Sequence, residues 1–450
     1  MNLPEAFLKQ MEHLLGTEYI SWLDACEQSS VQGIRINPVK LSPEEWEKLS
    51  PWRVRPVLWN RNGYYCEPDS RPAKDVYYYA GLYYIQEPSA MAPAAVLAPK
   101  PGQKVLDLCA APGGKSTELG ARLAGQGLLI ANDISASRAK ALVKNLEMAG
   151  ITNACVTAEE PQKLAETFGE YFDKILVDAP CSGEGMFRKE PELIKSWQER
   201  GPEAYAPLQR EILLQAAKML KPGGELVYST CTFSPKEDEE AVDWLLNQVP
   251  EMELIPIVPW KGAAAGIDGK PVIRLFPHRV EGEGHFVARF RKQGCWVNTK
   301  RKNKETKRPA VDVGNDFGDW EQLLAYPFDR TRMLCKDEQI YLIPEEFEPE
   351  WRLRYLRTGL LLGSVKRGRF EPSQAVAMAI RPEEYAQVFS MKREDERVVR
   401  YLKGESILLT EKEEFAKGWI LVCVEGFPLG WAKASGNMLK NKYYPGWRWQ

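Results

Sequence analysis

Histidine is scarce in this 450-residue chain: His13, His278 and His285 are the whole set, which leaves little for imidazole chemistry or a histidine-built metal site. Paired cysteines are missing too. The nine cysteines (Cys26, Cys66, Cys109, Cys155, Cys181, Cys231, Cys295, Cys335 and Cys423) contain no CxxC pair. No metal is therefore expected, and an odd, scattered set argues against disulfides. No apolar run reaches the length of a membrane span, and Met1-Asn-Leu-Pro-Glu-Ala-Phe7 lacks a charged signal-peptide start. The expectation is a soluble cytoplasmic protein with no membrane partner. Net charge is also small: 60 Lys and Arg against 62 Asp and Glu give −2, with a pI near 6.2. Bulk basicity is excluded as an argument for nucleic acid, and only local patches can carry it. Catalysis must lean on Cys, Asp, Glu or Lys.

The chain is organised around Val105-Leu-Asp-Leu-Cys-Ala-Ala-Pro-Gly-Gly-Lys-Ser-Thr117. The apolar run reads as a buried strand, and the residues after Gly113-Gly114 open a helical pattern. Two glycines at a helix N-terminus leave backbone N–H groups free for a ligand lying against bare backbone, preferably through an anionic or carboxylate group. A P-loop requires glycine where Cys109 stands, and the G-x-G-x-x-G dinucleotide pattern is absent. S-adenosylmethionine fits better. Its amino-acid end carries a carboxylate, and its ribose calls for an acid at the end of the next strand, where Asp133 lies. An ordinary strand-to-helix turn with a capping acid is the bland alternative.

From Val105 onward strands at 105–110, 128–134, 154–158, 174–179 and 225–230 alternate with helices near 135–149, 204–220 and 236–248. That rhythm predicts an α/β, doubly wound Rossmann-like sheet, and a further strand at 284–290 is expected to close the domain. The ligand crevice of such a sheet lies beyond the strand C-termini, where Cys109, Asp133, Glu159, Glu160, Asp178, Cys181 and Cys231 all fall. Upstream, helices are expected at 4–15 and 43–49. Val31-Gln-Gly-Ile-Arg-Ile-Asn-Pro38 alternates like a strand that exposes Arg35 and Asn37, either to touch RNA or as a satisfied edge. The aromatic run from Tyr77 to Gln86 is read as core in preference to a base-stacking platform.

Local basic patches appear downstream. Residues 291–308 hold eight basic residues and one acid, and Trp351–Phe370 holds six basic residues and none acidic. The last twenty residues carry Lys433, Lys440, Lys442 and Arg448 among Trp431, Tyr443, Tyr444, Trp447 and Trp449. Such interleaving suits single-stranded nucleic acid, while aromatics at a chain end can equally close a small barrel. The organisation read from these signals is an accessory RNA-binding region at 1–70, a methyltransferase domain at 71–293 and a basic linker at 294–314. An intermediate domain at 315–395 and a β-rich domain at 396–450 follow, the last being PUA-like and RNA-binding by resemblance to a known module and not by composition.

Two thiols and an acid stand beside the methyl-donor turn: Asp178-Ala-Pro-Cys181-Ser-Gly after one strand and Ser229-Thr-Cys231-Thr after the next. Carbon 5 of cytosine is a poor nucleophile until something adds at carbon 6, and a thiolate suits that covalent step. The chemistry alone does not say which cysteine attacks. At Cys109-Ala-Ala-Pro-Gly-Gly-Lys115, Asn132-Asp133, Asp178-Ala-Pro-Cys-Ser-Gly183 and Ser229-Thr-Cys-Thr232 the chain resembles the Sun family of RNA 5-methylcytosine methyltransferases. It is most similar to the bacterial 16S ribosomal RNA members with C-terminal extensions, whose last module Asn437-Met-Leu-Lys-Asn-Lys-Tyr-Tyr-Pro445 also resembles; residues 294–395 match least.

The resemblance implies that Cys231 attacks, Cys181 assists release and Asp178 meets the cytosine edge. It assigns Cys109, Ala110, Ala111, Pro112, Gly113, Gly114, Lys115, Asp133, Arg138, Glu160 and Asp178 to S-adenosylmethionine. DNA cytosine methyltransferases, with similar chemistry, would nominate Cys181 as the nucleophile. The implied partner is 16S ribosomal RNA or the small ribosomal subunit, engaged by a monomer. Alternatives are a methyltransferase acting on tRNA or another RNA, and a non-catalytic RNA-binding assembly factor on the same fold. A P-loop hydrolase is disfavoured by Cys109.

Overall fold

Two short helices, Glu5–Leu15 and Tyr19–Glu27, open the chain in a computed structural model that describes residues 3–295 and 313–450. Their apolar faces bury Phe7, Met11 and Trp22 against Phe187, Phe233 and Phe276 of the central domain. A four-stranded sheet follows, made of β1 (Gly33–Ile36), β2 (Val54–Pro56), β3 (Gly63–Cys66) and β4 (Tyr83–Ile85) in the order β2-β3-β1-β4. The helix Pro43–Leu49 between β1 and β2 starts at a Ser42–Glu45 capping box. The expected exposure of Arg35 and Asn37 is not found: both are buried. β1 is a central strand covered on both faces, so neither side chain is available to RNA. Arg35 instead reaches Gln86, Thr117 Oγ1 at 2.6 Å and Glu118 at 3.7 Å. Asn37 donates to the carbonyls of Gly81 and Ala149 at 2.9 and 2.8 Å. These bonds fasten the N-terminal sheet to the helices of the next domain.

The central sheet holds β5 (Lys104–Asp107), β6 (Leu128–Asn132), β7 (Ala154–Thr157), β8 (Phe172–Asp178) and β9 (Leu220–Thr230), all parallel. The chain runs outward from β5 to β6 and β7, then returns to the other side of β5 with β8 and β9. The switch point of the doubly wound fold therefore falls between β5 and β8, where a crevice opens. Side chains alternate between the two faces as the strand period of two requires. Leu106, Ile130, Val177 and Leu226 pack under the helices Leu193–Met219 and Glu239–Gln248. Val105, Leu129, Leu176 and Val227 pack under Ala92–Leu97, Gly114–Arg122 and Ala136–Met148. The helix Leu193–Met219 breaks at Gly201, whose φ of 61° and ψ of −175° are non-helical, and its long second half begins at Pro202.

Beyond β9 the sheet turns antiparallel through β10 (Met252–Leu254), β11 (Ile273–Leu275) and β12 (His285–Lys292). The strand expected at 284–290 is β12, the last strand of the domain in chain order, which pairs with β9 on one side and with β10 and β11 on the other. Most of the basic linker expected over 294–314 lies outside the described residues. The C-terminal region builds a sheet from β13 (Met333–Lys336), β14 (Gln339–Leu342), β16 (Leu360–Lys366) and β17 (Arg369–Pro372). The intervening β15 (Tyr355–Thr358) leaves that sheet and adds to the free edge of β7. Part of the basic run 351–370 is accordingly structural: Arg357 is buried, donating to the carbonyl of Gly359 at 2.7 Å and to that of Ile151.

A five-stranded unit completes the chain, with β18 (Val388–Met391), β19 (Ile407–Leu408), β20 (Gly418–Val424), β21 (Phe427–Ser435) and β22 (Met438–Asn441). Tyr443 and Trp447 are buried in one core of this unit, Trp431 is buried on the other face against Trp320, Phe370 and Tyr385 of the preceding sheet's region, and Trp449 stacks on Tyr79, so of the terminal aromatics only Tyr444 stands well exposed. Among the described residues, no helix is long and apolar enough to cross a membrane.

Candidate active site

The turn after β5 is held from three sides. Ser116 Oγ donates to Asp107 at 2.6 Å; burial of that aspartate pushes its carboxyl up to about 7. Gly113 has φ of +113°, and a Cβ there would sit 3.1 Å from Leu142 Cδ1, so the turn is closed to other residues. Asn132 then ties the ends of three strands together. It donates to the carbonyls of Leu108 and Glu159 at 3.2 and 3.0 Å and accepts from Thr157 Oγ1 at 2.8 Å. Its neighbour Asp133, buried, accepts from the backbone N–H of Ala111 at 3.3 Å and Ser135 at 2.9 Å. Arg138 lies 3.4 Å from the same carboxylate and donates to the Ala111 carbonyl at 3.1 Å. Turn, Asp133 and Arg138 form one hydrogen-bonded unit.

Glu159 and Glu160 part company. The Glu159 carboxylate accepts the N–H of Arg354 at 2.5 Å, just ahead of β15. Glu160 is exposed at the N-cap of the helix Pro161–Thr167 and makes no side-chain cap bond.

At the end of β8 Asp178 accepts from Lys115 Nζ at 2.7 Å through one oxygen and from Ser229 Oγ at 2.7 Å through the other. Burial alone would raise its carboxyl; the Lys115 cation, with His285 behind it, outweighs burial and holds it well below the usual carboxylate range. The loops after β8 and β9 bring Cys181 Sγ and Cys231 Sγ to 3.3 Å. Contact with Cys231, followed by burial, pushes the Cys181 thiol well above its ordinary range, so Cys181 keeps its proton. Burial also raises Cys109, which packs against the core; Asp107, Asp178 and Asp133 push the same way, with Arg138 opposing them.

The comparisons with known proteins cover nearly the whole chain. The model described as 16S rRNA methyltransferase RsmB/F matches residues 94–291, and that of the RsmF N-terminal domain matches 3–88. Models of the RsmF first C-terminal domain and of the RsmF PUA domain match 319–380 and 388–449. The Ribosomal RNA small subunit methyltransferase F of Klebsiella pneumoniae (strain 342) is 33% identical over 98% of this chain and 95% of its own length. The chain belongs to the 16S rRNA methyltransferase RsmB/F family. The relative of the same name from Enterobacter sp. (strain 638) is 32% identical over the same shares. A methyltransferase homolog protein from Pyrococcus horikoshii has a TM-score of 0.56 at 32% identity, covering 64% of this chain and 95% of that one. The α/β Rossmann-like methyltransferase fold with β-rich C-terminal domains is the fold of this RsmB/F-family chain, and the family match extends through 319–380, where the motifs are thinnest.

Several residues that shape this RsmB/F-family site carry no motif signal. Glu237 is buried behind both cysteine loops and accepts from Ser182 N at 2.9 Å, Ser182 Oγ at 2.5 Å and Gln209 Nε2 at 2.8 Å. Burial pushes its carboxyl from 4.5 up to about 7. Between those values the folded protein holds a proton that the unfolded chain has released, so this group's contribution falls as pH rises from about 4.5 to about 7. Glu237→Gln is expected to flatten that part of the stability profile; equal slopes of melting temperature against pH for variant and wild type would contradict the assignment. Arg274, also absent from any motif, lies buried between Asp238 at 3.2 Å and Glu239. Asp238 in turn accepts from Thr230 Oγ1 at 2.6 Å, and Arg274 donates to the Phe233 carbonyl at 3.0 Å, which fixes both ends of the segment holding Cys231.

Proposed function

We propose that this chain transfers a methyl group from S-adenosylmethionine to carbon 5 of one or more cytidines in 16S ribosomal RNA, with Cys231 as the nucleophile. The observation that carries the reading is the pair of thiols 3.3 Å apart beside Asp178 at the switch point of the sheet. Bound S-adenosylmethionine supplies an electrophilic methyl group. The residues present fit it by chemistry. The turn Cys109–Lys115 offers bare backbone for the methionine end, Asp133 offers a carboxylate for the ribose hydroxyls, and Ile134, 63% exposed beside it, offers an apolar face for the adenine. Of the two glutamates Glu160 is the free acid, because Glu159 is engaged by Arg354. Arg138 and Lys115 orient Asp133 and Asp178.

Cys231 attacks carbon 6, Asp178 and Lys115 hold the cytosine edge, and Cys181, which retains its proton, hands it to Cys231 as that sulfur leaves. The proposed unit is a monomer. Residues 71–293 carry the chemistry in this reading, with 1–70, 315–395 and 396–450 holding the RNA. Incubation of 16S rRNA with methyl-labelled S-adenosylmethionine tests it: label is expected in 5-methylcytidine, and label in another nucleoside or in none would contradict it. Asp133→Ala is expected to weaken S-adenosylmethionine binding roughly 100-fold, since two hydroxyls lose a charged acceptor. Unchanged affinity in a calorimetric titration would reject that role.

A further inference from the structure

His285 is 3% exposed at the start of β12, beside Phe286, which pairs with Thr230 just ahead of Cys231. Neither ring nitrogen has a hydrogen-bond partner, although Nε2 lies 3.5 Å from Asp178 Oδ1. A buried imidazole that has lost its hydration without gaining a partner is costly, and such groups are rare where no chemistry requires them. The other charged groups around it are engaged elsewhere. Lys115 is on Asp178 Oδ2, Arg274 of β11 is on Asp238 and Glu239, Glu283 is on Arg188, and Glu87 takes the Glu283 N–H. Cys181 and Cys231 face each other. Asp178, which already accepts from Lys115 on Oδ2 and from Ser229 on Oδ1, is the acid that faces His285, at a separation that catalytic pairs often show before substrate tightens them.

Asp178 poses a problem that His285 answers. Addition to cytosine places charge on ring N3, which must then take a proton, yet Asp178 is held ionised and has none to give. Resting on the function proposed above, we propose that His285 is the proton source behind Asp178, a positioning and relay residue that does not itself touch the base. As the Cys231 sulfur forms its bond to carbon 6, the C5–C6 π pair moves to C5–C4 and the C4–N3 π pair moves onto N3. As charge builds on N3, His285 Nε2 gives its proton to Asp178 and Asp178 passes it to N3. Carbon 5 then accepts the methyl group, and in the elimination the C5–H pair re-forms the C5–C6 bond while Cys231 leaves with the C6–S pair, Cys181 passing its proton to that sulfur and taking up the carbon-5 proton. The N3 proton returns through Asp178 to His285, so the relay ends as it began.

Single-turnover methyl transfer by the full-length protein, using labelled S-adenosylmethionine and small ribosomal subunits from a strain lacking the gene, tests this across pH. A relay that must start protonated gives the wild type a rate that falls as pH rises. His285→Gln and His285→Phe are expected to be slower on the order of 100-fold on the acid side and to lose that alkaline fall. Their S-adenosylmethionine affinity should stay within about two-fold of wild type. A variant that keeps the alkaline fall at its wild-type position, or that loses cofactor affinity in step with rate, would overturn the relay in favour of a structural role. Absence of transfer by the wild type would instead sink the methyltransferase reading, and the relay with it.

Discussion

Cys231→Ala is expected to lose methyl transfer completely and to form no conjugate with RNA that survives denaturation, whereas Cys181→Ala is expected to accumulate one. The two thiols are close enough that either could reach the same base, so distance does not order them. The family resemblance at Ser229-Thr-Cys231-Thr does, and it nominates Cys231. Contact with Cys231 and burial push the Cys181 thiol up, which suits it to hand a proton to a departing sulfur. Removing it leaves attack intact and slows release, so the covalent intermediate persists; removing Cys231 abolishes attack. Denaturing gel electrophoresis with labelled RNA separates the outcomes. Conjugate formed by Cys231→Ala and not by Cys181→Ala would reverse the roles, in the manner of the DNA cytosine enzymes.

Arg274→Ala is expected to cost about 3–5 kcal/mol of stability, because it leaves Asp238 and Glu239 buried without their counter-charge. Burial already pushes Asp238 well above the usual carboxylate range, with Arg274 opposing it. Without the arginine both carboxylates must stay charged and unpaired or take up protons, so the loss should be larger at pH 8 than at pH 5. The triple replacement Arg274→Met, Asp238→Asn, Glu239→Gln should recover most of it, since no unpaired charge then remains. Denaturant unfolding of the three proteins decides this. Equal stability of Arg274→Ala and wild type at both pH values would show that the network contributes nothing.

The parts of the site that lie within one strand and its following turn were legible in the sequence. Val105–Thr117, Asp133, Asp178 and the two cysteines each follow an apolar run, and the parallel sheet brings the ends of such runs together. What escaped depends on contacts between distant segments. Arg35 alternates with Ile34 and Ile36 as an exposed residue would, yet its second face is covered by the helix Gly114–Arg122, about 80 residues on. Arg357 lies in a run with no acid, but a guanidinium can be satisfied by carbonyls alone, here those of Ile151 and Gly359. His285 and Glu237 stand in segments with no catalytic pattern and matter through what packs on them. The terminal aromatics carried two readings, and burial of Trp431, Tyr443 and Trp447 favours the structural one.

The central claim is that this chain places a methyl group on carbon 5 of a cytidine in 16S ribosomal RNA through Cys231. Bisulfite mapping of 16S rRNA from the source organism, with and without the gene, tests it most directly. At least one protected cytidine should become convertible on deletion, regain protection with the wild-type gene and stay convertible with Cys231→Ala. An unchanged map on deletion, or protection restored in full by Cys231→Ala, would contradict it.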